Sequence, residues 1–267
     1  MPYSNTQAVV LSSMNYGEAD RILTLLTYER GRVRVIVRGA RRPRNRFAAM
    51  AQPLNLLEVQ LTGNSNLETL SQGQLVNSYR IIKEDLLRLA YASYILELFD
   101  KATEGASDVA EVFIMLLTAL ELVRYSDDLH LVRMAVEMKL MTAIGYRLQL
   151  EYCIYCQDIL DNTKPLHYNI AEGGFICERC KTSANTLACN PFGRELLLKM
   201  QKVSLTRFDA IADSSDRVAG KVHSAESGNR QEGLRQVDSI LRESLRTHLG
   251  AIPKASEFLD EITRYVD

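Results

Sequence analysis

The sequence has no tryptophan, and its first eighty residues have no lysine. It also lacks a long hydrophobic run. The longest uninterrupted apolar stretch, Val112 to Leu117, is far below the ~20 residues a helix needs to cross a bilayer. The opening MPYSNTQAVVLSS has neither a basic n-region nor a long apolar h-region, so no secretory leader is expected and the chain reads as cytoplasmic (nucleoid-associated if it binds DNA). Five cysteines, an odd count in a reducing compartment, argue against a disulfide framework. Catalytic motifs are missing too. There is no Walker A loop, no GxGxxG after a strand, no HExxH and no GxSxG. The deaminase signature fails because Tyr152, not Pro, precedes the first CxxC. His130, His167, His223 and His248 are scattered, with no carboxylate or cysteine at motif spacing. These absences point away from an enzyme.

What is present is ordinary globular composition: 267 residues, 46% hydrophobic and 24% charged. That length is near the limit for one hydrophobic core, so two or three domains are expected. The formal net charge of −1 hides an asymmetry. Residues 1–80 hold ten arginines against five carboxylates, leaving +5, and the rest of the chain carries −6. Eight of those arginines fall between Arg30 and Arg46, with only Glu29 close by in sequence. Such a run repels itself unless an anion neutralises it.

Up to about residue 80 the pattern is that of strands. Ala8 to Leu11, Ile22 to Thr27, Arg32 to Val37, Leu54 to Leu61 and Leu67 to Val76 are separated by turns such as Glu29-Arg30-Gly31 and Gly63-Asn64. Five short strands with Gly and Asn turns predict a small barrel or sandwich. Beyond residue 80 the period becomes helical. Asp85 to Thr103 and Val109 to Val123 are apolar nearly all round and predict buried helices. Leu131, Met134, Ala135, Met138 and Met141 recur at helical spacing. Asn190-Pro191 reads as an N-cap with proline at the first helical position, opening a helix through Lys202. Leu234, Val237, Leu241 and Leu245 mark another helix, and Phe258, Ile262 and Tyr265 a last one. Asp213 to Asn229 has almost no large apolar residues and reads as a mobile loop.

Two features carry chemistry. Cys153-Ile-Tyr-Cys156 and Cys177-Glu-Arg-Cys180 are CxxC pairs twenty residues apart, the spacing of a structural zinc site. Each CxxC turn aims two sulfurs at one point, and two turns complete a tetrahedron of thiolates. A closed four-thiolate shell leaves no position for water, so this metal is structural. Gly173-Gly174 permits the turn that brings the second pair round. A redox CxxC and plain buried cysteines are the alternatives, and Cys189 lies outside the pattern as a buried thiol.

The second feature is the arginine strand. In Arg32-Val33-Arg34-Val35-Ile36-Val37-Arg38 the alternation puts Val33, Val35 and Val37 on one face and Arg32, Arg34 and Arg38 on the other. Pro43 excludes a central strand next, so Arg41, Arg42, Arg44 and Arg46 fall on a flexible loop beside the first three. A guanidinium binds phosphate through two parallel hydrogen bonds, which makes nucleic acid the expected polyanion against the alternative of a solvated charged face. Tyr16, Tyr28 and Phe47 are candidates to stack on bases, with packing as the competing role. Arg235, Arg242 and Arg246 lie within about 40° on a helical wheel and read as a solvated stripe or a second cationic site.

The residues also carry a family likeness. The stretch from Val9 to Gly63 resembles the N-terminal domain of the bacterial recombination mediator RecO family. YILELFDKAT (Tyr94 to Thr103), MTAIGYRLQLEYCIYC (Met141 to Cys156) and GGFICERC (Gly173 to Cys180) resemble its later blocks in the same order, and HLGAIPKASEFL (His248 to Leu259) its closing segment. The resemblance implies a multidomain α+β chain: an OB-fold barrel over residues 1–80, then an α-helical domain over 81–267 with a zinc module inserted at 150–185. It implies binding of single- and double-stranded DNA, ATP-independent annealing of complementary strands, and DNA contact by Arg32, Arg34, Arg38, Arg41, Arg42, Arg44 and Arg46. It further implies partnership with RecR and with the tail of single-stranded DNA-binding protein (SSB), help in loading RecA, and a link to a RecF-type partner. A zinc-ribbon transcription factor and a nuclease accessory protein are the competing readings.

Overall fold

The structure is a computed structural model. It describes residues 3–63, 66–103, 110–161, 163–181, 186–209, 211–212, 224–250 and 253–266. The chain packs as two compact units, Met1–Tyr125 with Pro253–Asp267, and Ser126–Ile252.

The first unit opens with five strands, β1 (Tyr3–Tyr16), β2 (Asp20–Thr27), β3 (Gly31–Val37), β4 (Leu56–Thr62) and β5 (Glu68–Asn77). They close into a barrel in the order β1-β2-β3-β5-β4, with β3 and β5 parallel and the other pairs antiparallel. This is OB-fold topology. The first strand is longer than the apolar run Ala8 to Leu11 because it pairs with two neighbours, β4 along its first half and β2 along its second. A register shift between Val10 and Ser12 lets it bend from one to the other. Period-2 alternation fills the barrel: Ala8, Val10, Leu23, Leu25, Val35, Val37, Leu57, Val59 and Leu61 form its core.

Strand β2 is buried on both faces from Ile22 to Thr27. The helices α1 (Arg80–Glu84), α2 (Leu86–Ala102) and α3 (Ala110–Tyr125) follow the barrel, and the edge of Tyr28 packs against Phe113 with ring centroids 5.8 Å apart. Asp85 caps α2 by accepting from the Arg88 N–H. The last helix of the chain also belongs to this unit.

The second unit is built on α4 (Leu129–Ala143), α5 (Pro191–Lys202) and α6 (Ser224–Leu249). Between α4 and α5 lies a small three-stranded sheet, β6 (Leu166–Asn169), β7 (Gly174–Ile176) and β8 (Thr186–Cys189), ordered β7-β6-β8. Asn190 caps α5 as the sequence predicts, accepting from the Gly193 N–H at 2.8 Å, with Pro191 in the first turn. The loop expected over Asp213 to Asn229 is corrected in part. Residues 213–223 lie outside the described residues, whereas 224–229 are the first turns of α6. Few large apolar residues there leave the helical period unmarked.

The final helix, α7 (Ala255–Val266), packs on α2. Its N-terminus is held by Glu97 of α2, whose two carboxylate oxygens accept from the Lys254 and Ala255 N–H groups at 2.8 and 2.9 Å. A carboxylate at a helix N-terminus satisfies otherwise unpaired donors and complements the helix dipole.

Candidate functional site

The four cysteines of the two CxxC pairs converge. Their sulfurs all lie within 4.8 Å of one another, and Cys156 Sγ and Cys177 Sγ are 3.7 Å apart. A tetrahedron with metal–sulfur bonds of ~2.3 Å has edges of about 3.8 Å, so the donor set fits one four-coordinate ion. All-thiolate ligation is the soft set that selects zinc or an iron–sulfur centre.

The local backbone explains the convergence. Gln157 takes φ +60 just after Cys156, and its N–H donates to the Cys153 carbonyl, closing the first knuckle. A 3-10 turn over Glu178–Cys180 closes the second, with the Cys180 N–H on the Cys177 carbonyl. The expected part played by Gly173-Gly174 is observed in two forms. Gly173 turns at φ +69. A Cβ on Gly174 would lie 2.4 Å from the Ile154 side chain and 2.8 Å from Gln149 Cβ, so only glycine lets β7 lie against the first knuckle.

Burial acts to raise the Cys153 thiol. Hydrogen bonds from the backbone of Cys156, Cys177 and Tyr155 outweigh it and bring the thiol down to about 6. Cys180 is pushed up to about 12, chiefly by its hydrogen bonds to Cys177 and Cys156. Four sulfurs this close cannot all ionise without a cation among them. Cys189 is fully buried, apart from the quartet, and burial pushes its thiol up to about 12.

The first knuckle is anchored by a residue the sequence pattern does not single out. Arg194, in the first turns of α5, is 4% exposed. Its Nε donates to the Leu150 carbonyl at 3.0 Å, and its two Nη groups to the Leu160 and Glu151 carbonyls at 3.4 Å. These carbonyls flank Cys153 and Cys156 on both sides. Its one sequence signal is a charge next to the N-cap, which ordinarily reads as surface.

The arginines of the barrel divide into two groups. Arg30 pairs with Glu68 on β5, and Arg32 Nε pairs with Asp100 of α2 at 2.5 Å. Arg32 therefore faces the helices. Arg34, Arg38, Arg41, Arg42, Arg44 and Arg46 are exposed, and none makes an ion pair among the described residues. The segment after β3 is a string of tight turns rather than an extended run. The Ala40, Arg42 and Asn45 N–H groups donate to the carbonyls three residues earlier, and Asn45 Nδ2 donates back to the Arg38 carbonyl. The Arg41 guanidinium donates to the Gly17 carbonyl at 2.9 Å, and Arg46 lies over the Phe47 ring at 4.6 Å.

Of the three aromatic candidates, Phe47 packs against the barrel core, and Tyr28 meets Phe113 edge-to-face while staying 43% exposed. Tyr16 remains 51% exposed. On α6, Arg235 and Arg246 are exposed and pair with Glu232 and Glu243, which fits a solvated stripe, whereas Arg242 is half-buried against Asp238. The barrel face formed by β1, β4 and β5 has a different character. A groove of about 480 Å³ there is walled by Gln7, Gln60, Gln72 and Gln74 with Glu29 and Glu58, a lining with two carboxylates and no cation to offset the charge of a phosphate. No helix among the described residues is long and apolar enough to cross a membrane.

An OB barrel with one arginine-rich side, followed by a helical region bearing four cysteines placed to hold a metal ion, defines a class of multidomain barrel-plus-helix proteins suited to a polyanionic ligand. The chain matches the family models described as Recombination protein O N terminal over residues 1–79 and Recombination protein O C terminal over residues 83–257. It is 36% identical to the DNA repair protein RecO of Bacillus subtilis (strain 168) over 65% of this chain and 67% of that protein. Against the protein of the same name from Symbiobacterium thermophilum it is 37% identical over 67% and 72% of the two chains. Against that of Shouchella clausii it is 29% identical over 96% and 94%. The chain belongs to the Recombination protein O family, and its role is in recombinational DNA repair.

Proposed function

We propose that this chain is a cytoplasmic, nucleoid-associated recombination mediator. It binds single- and double-stranded DNA through the exposed arginines of the barrel and anneals complementary strands without ATP. With RecR, and by contacting the SSB tail, it helps load RecA onto SSB-coated strands, in some settings with a RecF-type partner. The observation that carries the DNA-binding part is the group of six exposed guanidiniums, Arg34, Arg38, Arg41, Arg42, Arg44 and Arg46, with no carboxylate paired to them among the described residues.

The mechanism uses no bond chemistry. Guanidiniums neutralise backbone phosphates on two strands and lower the repulsion that opposes pairing. Bases left exposed then find their complements. Arg32 contributes to the barrel–helix contact through Asp100 instead, a departure from its place in the sequence-derived set.

Cys153, Cys156, Cys177 and Cys180 would hold one zinc ion, whose chemistry there is to fix the two knuckles, the closed thiolate shell leaving no site for a reacting water. Elemental analysis of fresh reduced protein is expected to give one zinc per chain, and a stoichiometric absence of metal would defeat the assignment.

The DNA contact is tested by the salt dependence of single-strand affinity. Each phosphate contact contributes about 0.7 to the slope of log K against log salt. Replacing Arg41, Arg42, Arg44 and Arg46 together by Ala is expected to flatten the slope by about 3, while Arg32→Ala leaves it unchanged. An unaltered slope in the fourfold variant removes the loop from the interface. Incubation of labelled complementary strands with magnesium separates the mediator from a nuclease: annealed, uncut product is the expected result. Sequence-indifferent binding separates it from a transcription factor.

A further inference from the structure

We infer that Met14 and Tyr16, at the open end of β1, form a ledge on which an unpaired nucleobase stacks, so that the arginine side of the barrel distinguishes strands with accessible bases from bare phosphate chains. The inference rests on the reading that this side binds DNA.

Opposed residues of antiparallel strands share a face, and the registers therefore define what lies on the outside of the barrel. Leu23, Leu25, Val35 and Val37 point inward. Ser12, Thr24 and Arg34 then form one outward row, and Met14, Ile22 and Ile36 the next. Tyr16 opposes Asp20 in a third row, on the side from which Arg38 leaves β3. Within this surface Ile22 is buried, whereas Met14 is 55% exposed and Tyr16 51% exposed. Among the described residues the Tyr16 ring has no aromatic partner and its hydroxyl no hydrogen bond.

The ledge is joined to the arginine segment by three hydrogen bonds. The Arg41 N–H donates to the Ala19 carbonyl at 2.8 Å, and the Arg41 guanidinium to the Gly17 carbonyl at 2.9 Å. The Gly39 N–H donates to the Asp20 carboxylate at 2.7 Å, which occupies the acidic group nearest Tyr16 in the register. Large apolar side chains are thus held open beside cations that lack carboxylate partners among the described residues, a combination suited to a ligand with both a flat apolar face and negative charge.

Met14 and Tyr16 are two residues apart on one face, a separation of about 6.8 Å. That is twice the ~3.4 Å rise between stacked bases, leaving room for one base between the two side chains. A thioether and a phenol ring both favour aromatic faces, and stacking tolerates any base. This suits a protein that must act without regard to sequence.

The test compares two probes of equal length, a thymidine 25-mer and an abasic strand with the same phosphate backbone, bound by the full chain across a salt series. Tyr16→Ala is expected to weaken binding to the thymidine strand about tenfold, leave the abasic strand unchanged, and keep the salt slope of both. Tyr16→Phe should retain wild-type affinity, because the ring remains. Met14→Ala should act in the same direction with a smaller effect. Equal affinity of Tyr16→Ala and wild type for the thymidine strand overturns the ledge, as does an equal loss on both probes. Failure of the underlying DNA-binding reading looks different: the fourfold arginine variant then keeps its affinity and slope on the abasic strand.

Discussion

Replacing Arg194 by Met tests how the cysteine knuckle is held. The methionine side chain fills a similar channel but donates nothing, so the carbonyls of Leu150, Glu151 and Leu160 lose their donors. A buried acceptor left unsatisfied costs about 1–3 kcal/mol. Only the Nε bond, at 3.0 Å, has full-strength geometry, and the two at 3.4 Å count at the low end. Against this loss stands the relief of a buried charge. Burial pulls the Arg194 guanidinium below the ordinary arginine value, showing that its ionised form is held at a cost. The balance is a local destabilisation of about 3 kcal/mol, equivalent to roughly 100-fold faster opening at equilibrium. Native-state hydrogen exchange reads it directly. The amides of Cys153, Ile154 and Leu160, which bond to Asp158, Phe175 and Glu151, should exchange about 100-fold faster. Barrel amides such as Leu25 should be unaffected. Acceleration below about fivefold, or an equal change in the barrel, would refute the argument that one guanidinium anchors the knuckle.

Three further outcomes follow from the second unit. Gly233→Ala should destabilise, because its Cβ would sit 2.7 Å from both Asn190 Oδ1 and the Phe192 ring, a strain of about 1–3 kcal/mol that exceeds the ~1 kcal/mol gained in helix propensity. Gly228→Ala in the same helix meets nothing within 4 Å among the described residues and should stabilise by up to about 1 kcal/mol; urea midpoints that move the same way in both variants contradict this. For Asp238, burial opposes ionisation, but Arg133 and Arg242 outweigh it and hold the carboxyl below the usual aspartate range. Its stabilisation is therefore present above the unfolded value of about 3.9 and is lost as pH falls through the lower folded value. Asp238→Asn should cost about 2 kcal/mol at pH 7, with the difference from wild type shrinking steadily as pH falls below the unfolded value in a pH series of unfolding curves. Finally, Cys153→Ser or Cys177→Ser should abolish stoichiometric metal retention after dialysis, whereas Cys189→Ser should retain it, since only the first two belong to the cluster.

Where sequence and structure agree, a local rule is responsible. Alternation at period two placed Val35 and Val37 inside the barrel and Arg34 and Arg38 outside, and that follows from the pleat alone. The Asn190-Pro191 cap is equally local: one side chain, one turn. The cysteine spacing identified all four sulfurs that meet, because each CxxC turn pairs two of them irrespective of the rest of the fold. The first turns of α6 escaped for the complementary reason. Their helical conformation is continuous with a helix whose apolar face begins later, at residues such as Val237 and Leu241.

The sequence by itself therefore determined the barrel followed by helices, the metal-binding quartet and the surplus of arginine near the start, but not the small three-stranded sheet at Leu166–Cys189, whose strands of three and four residues are too short to show a period. It could not determine which of those arginines are available. Arg32 and Arg34 are alternate residues of one strand with the same outward direction, yet Arg32 meets Asp100, sixty-eight positions away, while Arg34 stays exposed. Likewise Arg194 and Arg133, which no sequence pattern singles out, are buried, one against backbone carbonyls and the other against Glu137 and Asp238. A charge becomes a ligand-binding group or an internal strut according to what long-range packing sets opposite it. That depends on contacts between distant segments, and no local periodicity encodes them.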